Sequence, residues 1–457
     1  MKKEIRKENG GTREGIPRGV PKSIAEFDRI NELTGAGLPR TGDLSILSSA
    51  YRIGQFTVPN RLVCQPMEGC DGCPDGSPGE LTVRRARKLA SSGAGIIWFE
   101  ATACLPEARA NPRQLMLTED NISSFARLAD EMREISVREN GFAPLIMLQL
   151  THSGRYSRPH GAPAPIRAYS WPEAERGSET LPALITDDEL DEVREALLRS
   201  SALTEKAGFD GADIKCCHRY LSSELLSAYT RENSRYGGDF DGRTRLIRET
   251  LAGAVANSSH GFIVGTRINI YDGIAYPYGF GCRTDGTLEP DMSEPVKLIR
   301  MLYGAGASLI DITAGNPYFN PHVNRPFASG PYMPEEHPAA GVARMLELTA
   351  EVKRELPEDL PVISSGLSWL GAASPGVAAA YIEKGGFDFA GFGRLTLACP
   401  GFAKKILGGE GLRPSDLCAA CSGCTSLMRL PGGTPGCILK DRLYTDIYRK
   451  MRSAEAK

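Results

Sequence analysis

Four cysteines near the C-terminal end, Cys418-x2-Cys421-x2-Cys424-x12-Cys437, stand at the spacing of a metal or cluster site. Three close thiolates and one remote one are a usual way to enclose a cubane [4Fe-4S] cluster. Structural zinc more often joins one C-x2-C to a distant second pair or to histidines, so zinc or plain thiols is the alternative. The Gly-Gly-Thr-Pro-Gly run before Cys437 has the small residues that let backbone pass close to a cluster. A second pair, Cys70 and Cys73 in CDGC, has no further ligand nearby in the chain and reads as a surface loop with free thiols. The other cysteines read as small buried apolar residues.

A second group of reactive side chains closes a series of short apolar runs. One run ends in Gln65-Pro66-Met67-Glu68, another in Gln149, His152 and Arg155, and a third in Lys215, His218 and Tyr220. Arg267 interrupts GTRIN, Tyr318 follows Gly315-Asn316-Pro317, and the last two runs end in Ser365-Gly366 and Gly391-Phe392-Gly393-Arg394. An arginine within an apolar strand is costly unless it meets an anion or a polar ring edge. A flavin's pyrimidine edge would satisfy both Gln149 and Arg267. Gly366 and Gly393 would let backbone N–H groups approach a phosphate, with Arg394 adding charge; the plainer reading is that these glycines only make turns.

The elements that must position these groups can be counted. Eight unalternated apolar runs span 61–67, 95–103, 144–152, 211–218, 262–270, 308–315, 361–366 and 387–394, as expected for parallel strands buried on both faces. Amphipathic helical segments separate them, several ending in Gly. Eight strand–helix units predict a (β/α)8 TIM barrel whose active site lies at the strands' C-terminal ends. A doubly wound sheet would favour G-x-G-x-x-G after its first strand, and QPMEGCDG is not that. The expected organisation is an N-terminal extension over 1–47, the barrel over 48–410 and a cysteine-rich segment with its tail over 411–457. With 54 basic and 56 acidic side chains there is no basic excess for nucleic acid. No apolar run approaches a membrane span and none follows the basic N-terminus, so a cytoplasmic protein is expected.

PNRLVCQPMEG, QLTHSGR, the block AGFDGADIKCCHRYLSSELLSAYTRENSRYGGDFDGRTR and GFGR resemble the old yellow enzyme family of FMN-dependent oxidoreductases, over about residues 48–440. The nearest branch is that of the 2,4-dienoyl-CoA and enoate reductases, whose members carry a four-cysteine [4Fe-4S] site after the barrel. The resemblance implies that Pro66, Met67, Ala101, Gln149 and Arg267 line the flavin ring, while Ser365, Gly366, Phe392, Gly393 and Arg394 hold its phosphate end. Glu68 falls in the same lining but is unexpected there, where small or hydroxyl residues are common. Cys418, Cys421, Cys424 and Cys437 become the cluster ligands, although the family spacing has three residues between its second and third cysteines.

The implied reaction is reduction of an activated C=C bond in an enone, enoate or dienoyl thioester. FMN N5 would give the hydride and Tyr220 the proton. Lys215-x-x-His218 replaces the family's usual His-x-x-His or His-x-x-Asn as the carbonyl-holding pair. Tyr318 lies near the place of the dienoyl-CoA reductases' histidine, with His322 four residues on. No dinucleotide fingerprint is present, so a separate ferredoxin, flavodoxin or FAD-containing reductase is expected to feed the cluster, with direct reduction by NAD(P)H as the alternative. Amine dehydrogenation of the trimethylamine dehydrogenase type is the second reading, with Tyr276, Tyr278 and Phe280 as a cation cage that Lys215 would oppose. A barrel that has lost its flavin is the third.

Overall fold

The computed structural model describes residues 15–176 and 181–455; the first fourteen residues of the expected extension and the last two of the tail lie outside these. Among the described residues ten strands form: β1 (Tyr51–Ile53), β2 (Phe56–Val58), β3 (Leu62–Cys64), β4 (Ile96–Ala103), β5 (Leu145–Thr151), β6 (Gly211–Ile214), β7 (Ile263–Asn269), β8 (Leu309–Thr313), β9 (Val362–Ser364) and β10 (Phe389–Phe392). Strands β3 to β10 pair in parallel, in chain order, and β10 closes on β3. Every residue of these eight is buried, which is why each reads as an apolar run rather than an alternating one. The barrel is therefore as expected, and each of its strands lies within one of the eight runs. No helix among the described residues is long and apolar enough to cross a membrane.

The residues before the barrel do more than wrap its surface. Helix Ile24–Thr34 starts on Ser23, whose hydroxyl accepts from Glu26 N–H, and buries Phe27 and Ile30. Trp369 Nε1 donates to Arg18 O at 3.1 Å and Ala372 N to Pro21 O at 3.1 Å, fixing this segment to the turn after β9. A Cβ at Gly371 would sit 2.1 Å from Pro21 O, so only glycine admits that approach. The hairpin β1–β2 closes the barrel's lower end, placing Ile53 and Val58 in one apolar cluster with Val63, Trp98, Met147 and Phe389.

Above that plug the interior turns polar. Asp213 Oδ2 accepts from Trp98 Nε1 at 2.8 Å and Gln149 Nε2 at 2.6 Å, and its Oδ1 from Arg267 N at 2.8 Å. Asp311 Oδ1 accepts from Gln65 Nε2 at 2.9 Å, while Arg267 Nε lies 3.0 Å from Asp311 Oδ2. Burial pushes both aspartates up to about 6 against these donors.

The cysteine-rich segment is fastened to the barrel's upper rim. Arg84 and Lys88 pair with Asp441, at 2.9 and 2.5 Å, and Lys405 with Asp416 at 2.7 Å. Thr434 Oγ1 donates to Asp71 Oδ2 at 2.6 Å, and Cys70 Sγ to Gly433 O at 3.1 Å. Cys70 is thus buried under the tail rather than displayed on a surface loop, because the loop after β3 is the seat on which the tail rests.

Arg85 anchors that seat. Fully buried, it holds Asp71 at 2.8 Å and also pairs with Glu100 of β4. One guanidinium faces two carboxylates, and Asp71 has two further donors, Thr82 and Thr434. Asp71 therefore keeps its charge, while burial first and the charge of Asp71 among the rest push Glu100 up to about 7. A Cβ at Gly69 would meet Glu100 Oε2 at 1.6 Å, so this position too must be glycine. Because Glu100 holds its proton more tightly folded than unfolded, the folded state binds more protons between 4.5 and about 7, and its contribution to stability is lost as pH rises through that window. Denaturation midpoints measured against pH should show this decline in the wild type and not in Glu100→Gln. Arg85→Ala, which strands a buried carboxylate, should cost about 3–5 kcal/mol in the same assay.

Candidate active site

The strand ends and the tail together line a cleft that opens to solvent. Its floor is made by Gln65, Gln149 and Arg267, held upright by the two interior aspartates. Of the residues expected here, Pro66, Met67, Glu68, Gln149, Arg267, Ser365, Gly366, Gly393 and Arg394 line the cleft, as do Lys215, His218, Tyr220 and Tyr318. Ala101 and Phe392 do not: Ala101 O accepts from Gln114 Nε2 at 3.1 Å, and Phe392 turns outward onto the Phe402 ring, centroids 5.1 Å apart. Gly391, one residue earlier, lines the cleft instead, and a Cβ there would lie 2.0 Å from Gln65 Nε2.

One end of the cleft is built for an anion. Arg394 donates through Nη2 to Pro326 O at 2.8 Å, and its buried Nη1 has no partner. Arg325, unforeseen from the sequence, donates to Ser422 Oγ at 3.2 Å. Among the described residues neither arginine has a carboxylate within ion-pair distance, yet Arg394, buried, and Arg325, half-buried, line the same cavity, with Gly366 and Gly393 beside them. Burial and the nearby Arg394 charge lower Arg325 to about 10. Two unpaired guanidiniums that repel each other need an anion between them, and a phosphate monoester fits that need. At the floor, the Gln65 carbonyl oxygen is buried without a partner and the Gln149 and Arg267 side chains face upward, a donor and acceptor row that suits a heterocycle's polar edge. These residues fit FMN.

The opposite wall carries proton chemistry. Tyr220 Oη donates to Glu68 Oε2 at 2.5 Å and lies 2.9 Å from Tyr318 Oη. Lys215 Nζ stands 3.8 Å from Glu68 Oε2 and 3.9 Å from the centre of the Tyr220 ring. Burial first, then the charge of Glu68, push the Tyr220 phenol well above its ordinary value. His218 takes a left-handed conformation, φ 65°, which turns its ring into the cleft, and its Nε2 is buried without a partner. Burial, reinforced by Arg267, Lys215 and Arg325, holds it well below the ordinary imidazole value, so it is neutral. Tyr318 stacks on Tyr156 at 3.9 Å. His322 instead pairs with Tyr332 away from the cleft, and Tyr278 stacks toward Trp171 and Tyr169. His152 and Arg155 serve the rim: His152 Nδ1 accepts from Gly154 N, and Arg155 pairs with Glu175 and Glu224.

The four tail cysteines line one smaller cavity, and Arg394, Leu397 and Cys424 line both it and the large cleft. Among the described residues no three His, Cys, Asp or Glu side chains converge as they would around a single metal ion. The tail also supplies Thr425, Met428, Arg429 and Pro435 to the large cleft, and no pattern in the chain foretells this.

Comparison with known proteins places the chain in a family. The pattern of the NADH:flavin oxidoreductase / NADH oxidase family matches residues 49–280. The NADH oxidase of Thermoanaerobacter brockii is 26% identical over 395 residues, covering 83% of this chain and 53% of that protein. The chain thus spans about half the length of this relative. The fold resembles that of a 2-naphthoyl-CoA reductase (TM-score 0.70, 19% identity, 89% of this chain and 58% of that one). It also resembles the histamine dehydrogenase of Rhizobium sp. 4-9 (TM-score 0.66, 20% identity, 88% and 53%).

The anion end yields a direct test. Losing a charged hydrogen-bond donor costs about 1.5–3 kcal/mol, so Arg394→Ala and Arg325→Ala should each weaken FMN binding roughly tenfold to a hundredfold, read by quenching of FMN fluorescence. Arg429→Ala, at the mouth, should leave that affinity unchanged.

Proposed function

The chain belongs to the NADH:flavin oxidoreductase / NADH oxidase family, and from that premise we propose that it is an FMN-dependent oxidoreductase that reduces the activated C=C bond of an α,β-unsaturated carbonyl compound. One observation carries the reading: neutral His218, Lys215 and the Tyr220 hydroxyl converge on one wall of a cleft whose other end is an unpaired Gly–Arg anion seat. FMN, when bound, supplies the hydride. Arg325, Arg394, Gly366 and Gly393 would hold its phosphate, and Gln149 and Arg267 its pyrimidine edge. His218 and Lys215 hold the substrate's carbonyl oxygen and stabilise the negative charge that gathers there. Tyr220 delivers a proton to the α-carbon, and Tyr318 donates to Tyr220 and orients it. A general acid of this kind contributes about 10²–10⁴-fold, so Tyr220→Phe should lower turnover on a carbonyl-activated alkene by roughly that range, with KM little changed.

The tail is read as a [4Fe-4S] site with Cys418, Cys421, Cys424 and Cys437 as ligands. Four thiols share one cavity but do not converge as four ligands about 2.3 Å from a zinc ion would; a cluster's larger body holds its thiolates further apart. Cys424 and Arg394 border the flavin cleft as well, which suits electron exchange between the two sites. A ferredoxin, flavodoxin or FAD-containing reductase would then feed the cluster, or NAD(P)H the cleft directly.

The amine dehydrogenase reading is weaker on this geometry. Lys215, Arg267, Arg325, Arg394 and Arg429 line the cleft against a single acid, Glu68, and such a potential repels an ammonium substrate. Tyr276, Tyr278 and Phe280 are not among the lining residues. Anaerobically purified protein should show flavin absorption with iron and sulfide and little zinc. A panel of enones, enoates and amines should be turned over only on its unsaturated carbonyl side, and bleaching of the flavin by NADH or NADPH in stopped flow would remove the need for a protein donor. Protein that neither retains nor binds FMN would sink the assignment; flavin with zinc and no sulfide would sink only the cluster.

A further inference from the structure

We infer that Glu68 is the proton reservoir behind Tyr220: the proton delivered to the substrate's α-carbon leaves from the Tyr220 hydroxyl and is replaced from the Glu68 carboxyl, with Lys215 stabilising the carboxylate that remains. The inference rests on the reading of Tyr220 as proton donor and deepens it by naming the group that recharges it.

The geometry makes Tyr220 depend on Glu68. A phenol has one proton and can donate one hydrogen bond. With Glu68 ionised, the carboxylate can only accept, so the Tyr220 proton is committed to Oε2 at 2.5 Å. Tyr318, 2.9 Å away, must then donate to Tyr220, and Tyr220 shows no proton to the cleft. With Glu68 protonated, the directions reverse. The carboxyl O–H donates to Tyr220 Oη, and the phenolic proton is free to point into the cavity. Tyr220 is therefore an acid only while Glu68 carries a proton.

The step balances without a further reagent. A C–H bond forms at the α-carbon as the Tyr220 O–H bond breaks; the Tyr220 O–H bond re-forms as the Glu68 O–H bond breaks; nothing is oxidised or reduced in the transfer. The charge ends on Glu68, whose Oε2 lies 3.8 Å from the Lys215 ammonium. During the transfer, negative charge on the Tyr220 ring lies 3.9 Å beneath that same ammonium. Tyr318 is the poorer source. Giving up its proton would leave a phenolate beside Glu68, and burial together with Glu68 already pushes the Tyr318 phenol far up, whereas an ordinary carboxyl is about six pK units more acidic than a phenol.

The Glu68 side chain is 20% exposed against 1% for Lys215, so Glu68 can be recharged from solvent. The groups that bear on it are Lys215 and Tyr220 from the segment after β6 and Tyr318 from the loop after β8. Behind Gly69 it also feels Glu100 of β4, with the partner Arg85.

The test uses the full chain as FMN-loaded holoenzyme with 2-cyclohexenone as substrate. Glu68→Gln keeps a hydrogen-bonding side chain against Tyr220 but carries no transferable proton. It should lower turnover about tenfold or more and change the pH profile of turnover, a profile that Glu68→Asp should keep. Glu68→Asp, which retains the acid, should stay well above Glu68→Gln. A second readout needs no turnover: in an alkaline titration followed by phenolate absorbance, one tyrosine should ionise at lower pH in Glu68→Gln than in wild type, and that change should vanish in Glu68→Gln/Tyr220→Phe.

Turnover of Glu68→Gln within twofold of wild type with the same pH profile would overturn the proposal. So would equal losses in Glu68→Gln and Glu68→Asp, or a loss confined to Tyr318→Phe. A wild type that reduces cyclohexenone separates these failures from failure of the reaction assignment. A wild type that reduces none of the unsaturated carbonyls would overturn both, with the phenolate titration still reporting whether the Glu68 charge governs Tyr220.

Discussion

Everything at the mouth of this barrel stands on two aspartates that the barrel has swallowed. Asp213 and Asp311 are fully buried, and a carboxylate in that setting survives only if donors surround it. The donors are Trp98, Gln149 and the Arg267 backbone for one, and Gln65 and Ser365 for the other, with the Arg267 guanidinium adding an ion pair to it. Gln65, Gln149, Arg267 and Ser365 are thereby held in the lining of the cleft, while Trp98 stays in the apolar cluster below. The bottom of the barrel is filled by apolar side chains from β3 to β10 and stoppered by the β1–β2 hairpin. The aspartate layer is the boundary at which a packed core becomes the floor of a cleft. Strain elsewhere, such as the left-handed turn at His218 and Arg219, is tolerated because this layer and the Arg219–Asp272 pair at 2.9 Å fix both sides of the loop.

How much of this could be read from the chain follows from what each signal encodes. The eight barrel strands were legible because a strand buried on both faces is apolar at most positions rather than at every second one, and the runs recur between amphipathic helical segments. The hairpin and the helix Ile24–Thr34 were not legible. Three-residue strands carry no periodicity, and the helix's buried face rests on two main residues, Phe27 and Ile30. Asp213 and Asp311 lay in plain view within GADIKCCH and SLIDITAG, yet an acid inside an apolar run does not tell which way it points or what it meets. The same ambiguity explains Phe392. Side chains alternate across a strand, so a shift of one residue exchanges cleft for outer face, and Gly391 rather than Phe392 faces inward. Arg325 sits after the short helix Pro321–Asn324, where no periodicity constrains direction at all.

The tail was legible as a cysteine pattern and illegible as a wall. Nothing in four thiols foretells that Thr425, Met428 and Arg429 line the cleft, because that depends on contacts more than 300 positions apart in the chain, such as Thr434 to Asp71. The buried triad of Asp71, Arg85 and Glu100 is the physical reason the tail comes to rest there. Asp71 needs extra donors to stay charged beside Glu100, and the tail's threonine is one of them.

This arrangement makes Arg394 answer to two sites at once. Its charge completes the anion seat at one side, and at the other it opposes the burial that pushes Cys418 up to about 11. A thiol that ligates a metal must first lose its proton, and a desolvated thiol resists this unless positive charge is near. Arg394, with an unpartnered Nη1 and lining both the large cleft and the cavity of the four cysteines, supplies that charge with no carboxylate among the described residues to cancel it. The cleft is lined by Lys215, Arg267, Arg325, Arg394 and Arg429 against one acid. That acid, Glu68, lies 3.8 Å from the Lys215 ammonium and accepts from the Tyr220 phenol at 2.5 Å. It is the acid in this cleft placed to pass a proton on rather than merely to neutralise a charge.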